Sequence, residues 1–345
     1  MRRLPVYVLL DCSESMIGNG LRGMRTGISS MLKALRQNPH ALETAWISFI
    51  TFDSRAELKS PLQSLDEVQP PRLLVRPGTS LGSALLLLSE RILQEVKRTQ
   101  PGTLTKGDFR PIVILITDGQ PTDDWRSALR EMNSTVKIAN LYAVGCGDDI
   151  DFAGLREMTD VVLNLQQTDE QGWAKLFVWI SETVSTASRG VADGDERELM
   201  LAKLPDSVEK IEDEDIPSYS GEYGRARQLF LTALCGENKQ PYLMRYRWEP
   251  DYRVYIPAAS HIMDAETCDF STRGGTGLPA VNSHEVDGCP PCAHCGNPSA
   301  GSCGNCGTVF CGSSRQKDGS SICPGCGAIL RPGGSGEFKI KASEG

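Results

Sequence analysis

The chain has 345 residues, enough for one large or two ordinary domains with substantial cores. Its net charge of −8 is concentrated between Asp193 and Glu222, where eleven acidic residues accompany three basic ones, so the remainder is near neutral. No basic stripe suited to a phosphate backbone and no run of the roughly 18 apolar residues that span a bilayer occurs, which argues against nucleic-acid and membrane partners and for a cytoplasmic protein.

Met1-Arg2-Arg3-Leu4 superficially resembles the charged start of a signal peptide. The apolar stretch behind it is short and lacks a small-residue cleavage pattern, so residues 5–10 read as a first strand. Further strands are expected at 45–53, 112–117, 138–145 and 161–165, and an antiparallel edge strand near 57–65. Helices are expected at about 20–37, 81–98, 122–136 and 170–187; in the second, Leu81, Leu85, Leu88 and Ile92 recur at helical spacing. This alternation through residue 190 predicts an α/β domain with a doubly wound, mostly parallel, Rossmann-like sheet. The acidic segment 191–224, with Glu212-Asp213-Glu214-Asp215, reads as a solvated linker, the alternative being a tether that masks a cation site in cis. Residues 225–345 form the expected C-terminal domain. It opens with β-like runs at 228–234 and 242–248 joined by a hairpin at 236–239, continues through a loop-like stretch at 271–288, and ends in a small cysteine-rich, zinc-binding part.

The most informative residues follow the first strand. Asp11, Ser13 and Ser15 place a carboxylate and two hydroxyls where a buried parallel strand ends, the position at which ligands gather in open α/β sheets. Thr79 in Pro77-Gly78-Thr79-Ser80 and Asp118 after Ile112–Ile116 complete a candidate oxygen-only set. Such donors suit a hard octahedral cation, Mg2+ (or Mn2+ or Ca2+), rather than zinc. A helix-capping turn would explain the Asp/Ser triplet alone, but not all five positions in order. With neutral hydroxyls supplying most ligands, the ion keeps positive charge and an open position for a foreign carboxylate. Catalytic companions are not evident. Of His40, His261, His284 and His294 only His40 lies in the α/β part, in a turn beside Asn38-Pro39, and neither a phosphate loop nor a nucleophile elbow is present.

Asp11-Cys12-Ser13-Glu14-Ser15, Gly78-Thr79-Ser80 and Ile116-Thr117-Asp118-Gly119 resemble the metal-ion-dependent adhesion site (MIDAS) of von Willebrand factor A domains over residues 1 to about 190. The resemblance implies that Ser13 and Ser15 bind the ion directly, that Asp11 and Asp118 act directly or through water, and that Thr79 is direct in the ligand-bound form. Many members carry Gly where this chain has Pro77, a change that should stiffen the loop.

Eight of the twelve cysteines lie between Cys289 and Cys326; Cys12, Cys146, Cys235 and Cys268 are scattered. The clustered thiols, in C-x-x-C pairs followed by glycine, predict two four-cysteine Zn2+ sites. Cys303/Cys306 with Cys323/Cys326 has zinc-ribbon spacing, which leaves Cys289, Cys292, Cys295 and Cys311 for the second site. Interleaved pairings also fit, as does a single zinc with several free thiols, and His294 could replace one cysteine. A four-thiolate zinc has no open position for water and serves as a staple. The order of the two modules is similar to TerY-type proteins of bacterial tellurium-resistance and stress operons. That resemblance implies a serine/threonine kinase and a metal-dependent phosphatase as partners. The expected function is therefore a non-enzymatic module that captures an acidic or phosphorylated protein through Mg2+. The alternatives are a metal-handling protein, in which soft thiolates sequester metal, and a nucleic-acid-binding zinc protein. Against the latter, residues 289–345 hold only five basic and three acidic residues.

Overall fold

A computed structural model describes residues 2–99, 106–147, 150–192, 202–212, 226–264, 266–269, 280–331 and 339–342. In the first 212 residues, strands β1 (Leu4–Asp11), β2 (Ala45–Phe52), β3 (Ala56–Ser64), β4 (Ile112–Thr117), β5 (Asn140–Cys146), β6 (Val162–Leu165) and β7 (Val208–Lys210) form one sheet of order β3-β2-β1-β4-β5-β6-β7. The inner pairs are parallel and the two edges antiparallel. Every residue of β1 and β4 is buried, as befits strands covered on both faces. The half-exposed edge β3 carries Glu57, Lys59 and Pro61, which blunt it against further pairing.

Among the described residues six α-helices cover the sheet: α1 (Asn19–Arg36), α2 (Pro39–Thr44), α3 (Leu81–Glu95), α4 (Trp125–Thr135), α5 (Phe152–Met158) and α6 (Glu170–Ala192). Leu81, Leu85, Leu88 and Ile92 of α3 bury with Trp125 and Met132 of α4 against Tyr7, Leu9, Val113 and Leu115. Alternate residues of β1 point the other way, toward the side where α1 and α6 pack together. Gly23 and Gly27 make that approach possible, because a Cβ at either would lie within 2.2 Å and 2.0 Å of the Trp173 and Phe177 rings respectively.

The strands expected at 5–10, 45–53, 57–65, 112–117, 138–145 and 161–165 are all present, but α2, α5 and β7 were not expected. The Asn38-Pro39 pair read as a turn instead starts α2. Asn38 caps it by accepting from the Ala41 amide at 3.1 Å, and His40 is exposed there. β7 lies inside the segment read as solvated linker, where Val208 and Ile211 are buried. The rest of that acidic segment, 193–201 and 213–225, lies outside the described residues, as does 270–279 of the loop-like stretch.

The chain divides into two units, Met1–Val75 with Thr79–Ser220, and Arg76–Gly78 with Gly221–Gly345. In the second, β8 (Gln228–Leu234), β9 (Pro241–Glu249), β10 (Val254–Ile262), β12 (Ala300–Ser302) and β13 (Val309–Cys311) form a sheet of order β10-β9-β8-β13-β12. β13 runs parallel to β8 and pairs Val309 with Ala233 and Phe310 with Leu234. Two small ribbons, β11 (Ala280–Asn282) with β16 (Lys339–Lys341) and β14 (Ser321–Ile322) with β15 (Ile329–Leu330), complete the unit. β11 falls within the stretch read as loop.

Candidate metal centres

The rim site forms where the chain order reverses. From β1 the chain steps to β2 on one side and, after β3 and α3, to β4 on the other, which opens a crevice beyond the carboxyl ends of β1 and β4. Asp11 ends β1, and Asp118 directly follows β4. The Asp11 Oδ1 accepts from the Ser13 amide at 2.9 Å and its Oδ2 from the Thr117 hydroxyl at 2.5 Å. Ser13 and Ser15 hydroxyls lie 2.8 Å apart, and Ser15 donates to Asp118 Oδ1 at 2.6 Å. An octahedral ion with bonds near 2.1 Å places neighbouring ligand oxygens about 3.0 Å apart, close to this spacing.

Thr79 reaches the same rim on a second loop. Ser80 donates its amide to the Asp53 carbonyl at 2.7 Å, just beyond β2, and Cys12 donates to the Phe52 carbonyl at 2.8 Å. A third loop locks Thr79 in place. Its amide donates to the Thr122 hydroxyl at 3.2 Å and its carbonyl accepts from the Thr122 amide at 2.9 Å. Asp123 then caps α3 from outside, accepting from the Gly82 and Ser83 amides at 2.9 and 3.0 Å. Behind Pro77, Gly78 takes φ +94°, a conformation that glycine adopts without strain. The Thr79 hydroxyl is fully buried and without a hydrogen-bond partner among the described residues, a deficit that a cation would satisfy. Burial pushes the Asp11 carboxyl up to about 6 against the lowering effect of its Ser13 and Thr117 hydrogen bonds, with the nearby Asp53 charge adding to the rise. The donor set therefore fits a hard dication, which would relieve both the orphan hydroxyl and the buried carboxylate. Thr117, Thr122, Asp123 and Asp53 orient or surround this set and were not singled out from the sequence. A Thr-Asp pair looks like ordinary loop composition until the fold brings it against the Thr79 loop.

The thiols gather into two groups, and one differs from expectation. Cys303, Cys306, Cys323 and Cys326 form one cluster, in line with their ribbon spacing. The other is Cys235, Cys292, Cys295 and Cys311, so Cys235 takes the place assigned to Cys289. Cys289 instead donates its thiol to the Pro298 carbonyl at 3.1 Å. The cause is the parallel β8–β13 pairing, which brings Cys235 and Cys311 side by side one residue beyond the last paired positions. Gly236 donates its amide to the Cys311 sulfur at 3.1 Å. His294 belongs to neither group, and its Nε2 lies 3.0 Å from the Pro241 carbonyl.

One loop design supplies ligands four times. In the loops starting at Cys235, Cys292, Cys303 and Cys323, the cysteine amide donates to the carbonyl five residues on, and its carbonyl accepts from the amide four residues on. That fourth residue is left-handed each time, as Lys239, Gly296, Gly307 and Gly327. Three of these loops hold a second cysteine three residues after the first. The loop at Cys235 has Asn238 there, and Cys311 supplies the missing sulfur. Sulfurs approach to 3.7 Å for Cys295–Cys311, Cys303–Cys326 and Cys306–Cys323. A tetrahedral zinc with 2.3 Å bonds requires edges of about 3.8 Å. Four sulfurs this close cannot all ionise without a cation. Burial pushes Cys292 and Cys323 up to about 12, while the Thr308 hydroxyl brings Cys306 down to about 6. A dication would allow all four in each cluster to be thiolates.

No curated protein matches the chain in sequence. Similar solved structures include the ArnB paralog VWA2 from Sulfolobus acidocaldarius (19% identity, 53% of this chain and 45% of that one, TM-score 0.39). They also include a von Willebrand factor type A protein from Catenulispora acidiphila (16%, 54% and 43%, 0.39) and the pilus adhesin SpaC from Lactobacillus rhamnosus GG in an open conformation (14%, 54% and 30%, 0.41). The chain spans less than half the length of each. Among the described residues no helix is long and apolar enough to cross a membrane. Residues 6–171 match the family of von Willebrand factor type A domains, and this part of the chain is such a domain, a fold that generally serves protein interaction.

Proposed function

We propose that the α/β domain is a Mg2+-dependent capture module for an acidic or phosphorylated protein, and that it performs no catalysis of its own. The observation that carries this reading is the linked set Asp11, Ser13, Ser15 and Asp118 at the chain-reversal point, together with a buried Thr79 hydroxyl that has no hydrogen-bond partner among the described residues. Ser13, Ser15, Thr79 and Asp118 would hold the ion. Asp11, with both oxygens already accepting, would contribute its charge and act through water. A bound Mg2+ supplies positive charge and a coordination position for an incoming carboxylate or phosphate oxygen. In the C-terminal unit the two four-sulfur sets would hold two Zn2+ ions and stiffen a second contact surface.

The resemblance to TerY-type proteins extends this reading to a cytoplasmic stress or tellurite-resistance system, with a serine/threonine kinase and a metal-dependent phosphatase as candidate partners. The test is co-purification of those two enzymes with the tagged chain in Mg2+, in EDTA, and with Asp11→Ala. Capture should be lost in both EDTA and the variant. Unchanged capture in both ends the proposal.

A further inference from the structure

The two sulfur clusters differ in enclosure. Cys235, Cys292 and Cys311 are buried in a core that includes Leu229, Tyr242, Met244 and Tyr246, at the ends of paired strands of the larger sheet. Around the other cluster, among the described residues, Cys303, Phe310 and Cys323 are buried together, with Leu234, Ala328 and Leu330 partly buried against them. Cys306 and Cys326 are exposed, and Cβ atoms built on Gly304 and Gly307 would meet nothing within 4 Å. The supporting ribbon β14–β15 has two residues per strand, and its cross-strand pair Ile322–Ile329 is exposed at 44% and 72% beside the Cys323 loop. The cluster of Cys303, Cys306, Cys323 and Cys326 thus pairs two buried anchors with two sulfurs open to solvent, next to an uncovered apolar pair.

We propose that the cluster of Cys303, Cys306, Cys323 and Cys326 is an exchange site for a soft, thiophilic dication such as Zn2+ or Cd2+, while the cluster containing Cys235 holds its ion as part of the fold. The proposal is independent of the rim cation. Exchange proceeds by ligand substitution. An incoming thiol loses its proton and forms a metal–sulfur bond, the bond from Cys306 or Cys326 breaks, and that sulfur takes up the proton. The metal keeps its oxidation state, so no oxidant is required. Cys303 and Cys323 retain the ion during the swap, whereas the enclosed cluster offers an incoming thiol only the half-exposed Cys295 beside three buried sulfurs.

The test uses the full chain loaded with two Zn2+ and exposed to excess Cd2+, followed over time by native mass spectrometry. One Zn2+ should be replaced about tenfold or more faster than the other. Cys306→Ser should abolish or alter the fast phase and leave the slow ion in place. Because a variant could misfold, alkylation of the unaltered Zn2+-loaded chain with iodoacetamide supplies a second readout, with Cys306 and Cys326 modified before Cys235, Cys292, Cys295 and Cys311. Equal exchange rates, a fast phase untouched by Cys306→Ser, or faster alkylation in the enclosed cluster overturns the proposal.

Discussion

Asp11 is the residue whose ionisation links the rim site to stability. Its folded carboxyl is raised to about 6, above the unfolded value near 4, so the proton is held more tightly in the folded state. The resulting stabilisation of the cation-free protein is present below the unfolded value and lost as pH rises through about 6, a change of about 3 kcal/mol. Because Mg2+ binds the ionised form, its stabilising effect should grow over the same interval. Thermal unfolding in EDTA and in saturating Mg2+ between about pH 5 and pH 8 measures this, and a Mg2+ increment independent of pH contradicts it. Among the thiols, Cys235→Ser should cost one zinc per chain by native mass spectrometry while Cys289→Ser retains both. The reverse result would restore the assignment that adjacency in the sequence suggested. Adjacency misleads at that point because the ligand partner of Cys311 lies 76 positions earlier, on a strand that pairs with it in parallel.

At the scale of elements, packing and capping set the positions of the site loops. α1 meets α6 through Gly27, where an added methyl would overlap the Phe177 ring. Gly27→Ala should therefore destabilise by about 1–3 kcal/mol in chemical denaturation, even though alanine is the better helix former. No loss on that substitution would mean that the helices separate without cost. Asp123 caps α3 while touching none of the proposed ligands, so Asp123→Ala should cost about 1 kcal/mol of stability. It should also weaken Mg2+ binding measured by titration calorimetry, because the Thr79 loop loses its brace. Calorimetry indistinguishable from the unaltered protein would make the cap purely structural. The long elements were legible because β1 and β4 are uninterrupted apolar runs and α3 keeps helical spacing. α2, α5 and β7, of six, seven and three residues, are too short for periodicity to register. Tertiary pairing decides them, as when β7 buries Val208 inside a segment whose charges suggested solvation.

For the molecule as a whole, the sequence pattern and the fold agree in the α/β domain, where the structure links Asp11, Ser13, Ser15 and Asp118 at one rim. A five-residue oxygen set needs only two strand ends, those of β1 and β4, and the loop that carries Thr79, and each leaves its own local signature. The residues that brace it, Thr117, Thr122 and Asp123, leave none, because their importance comes from contacts across the chain. The C-terminal unit was legible in its sulfur content and opaque in its pairing, since four loops of the same backbone design compete for two metal sets. The proposed capture of an acidic partner would depend first on a cation seated among the rim oxygens. The most direct measurement is anomalous diffraction from crystals of the full chain soaked in Mn2+, a stand-in for Mg2+ with the same oxygen preference and an accessible X-ray absorption edge. A single peak at bonding distance from the Ser13, Ser15, Thr79 and Asp118 side chains, absent in Asp11→Ala, is the expected result. Rim oxygens with no anomalous density among them would contradict the capture mechanism.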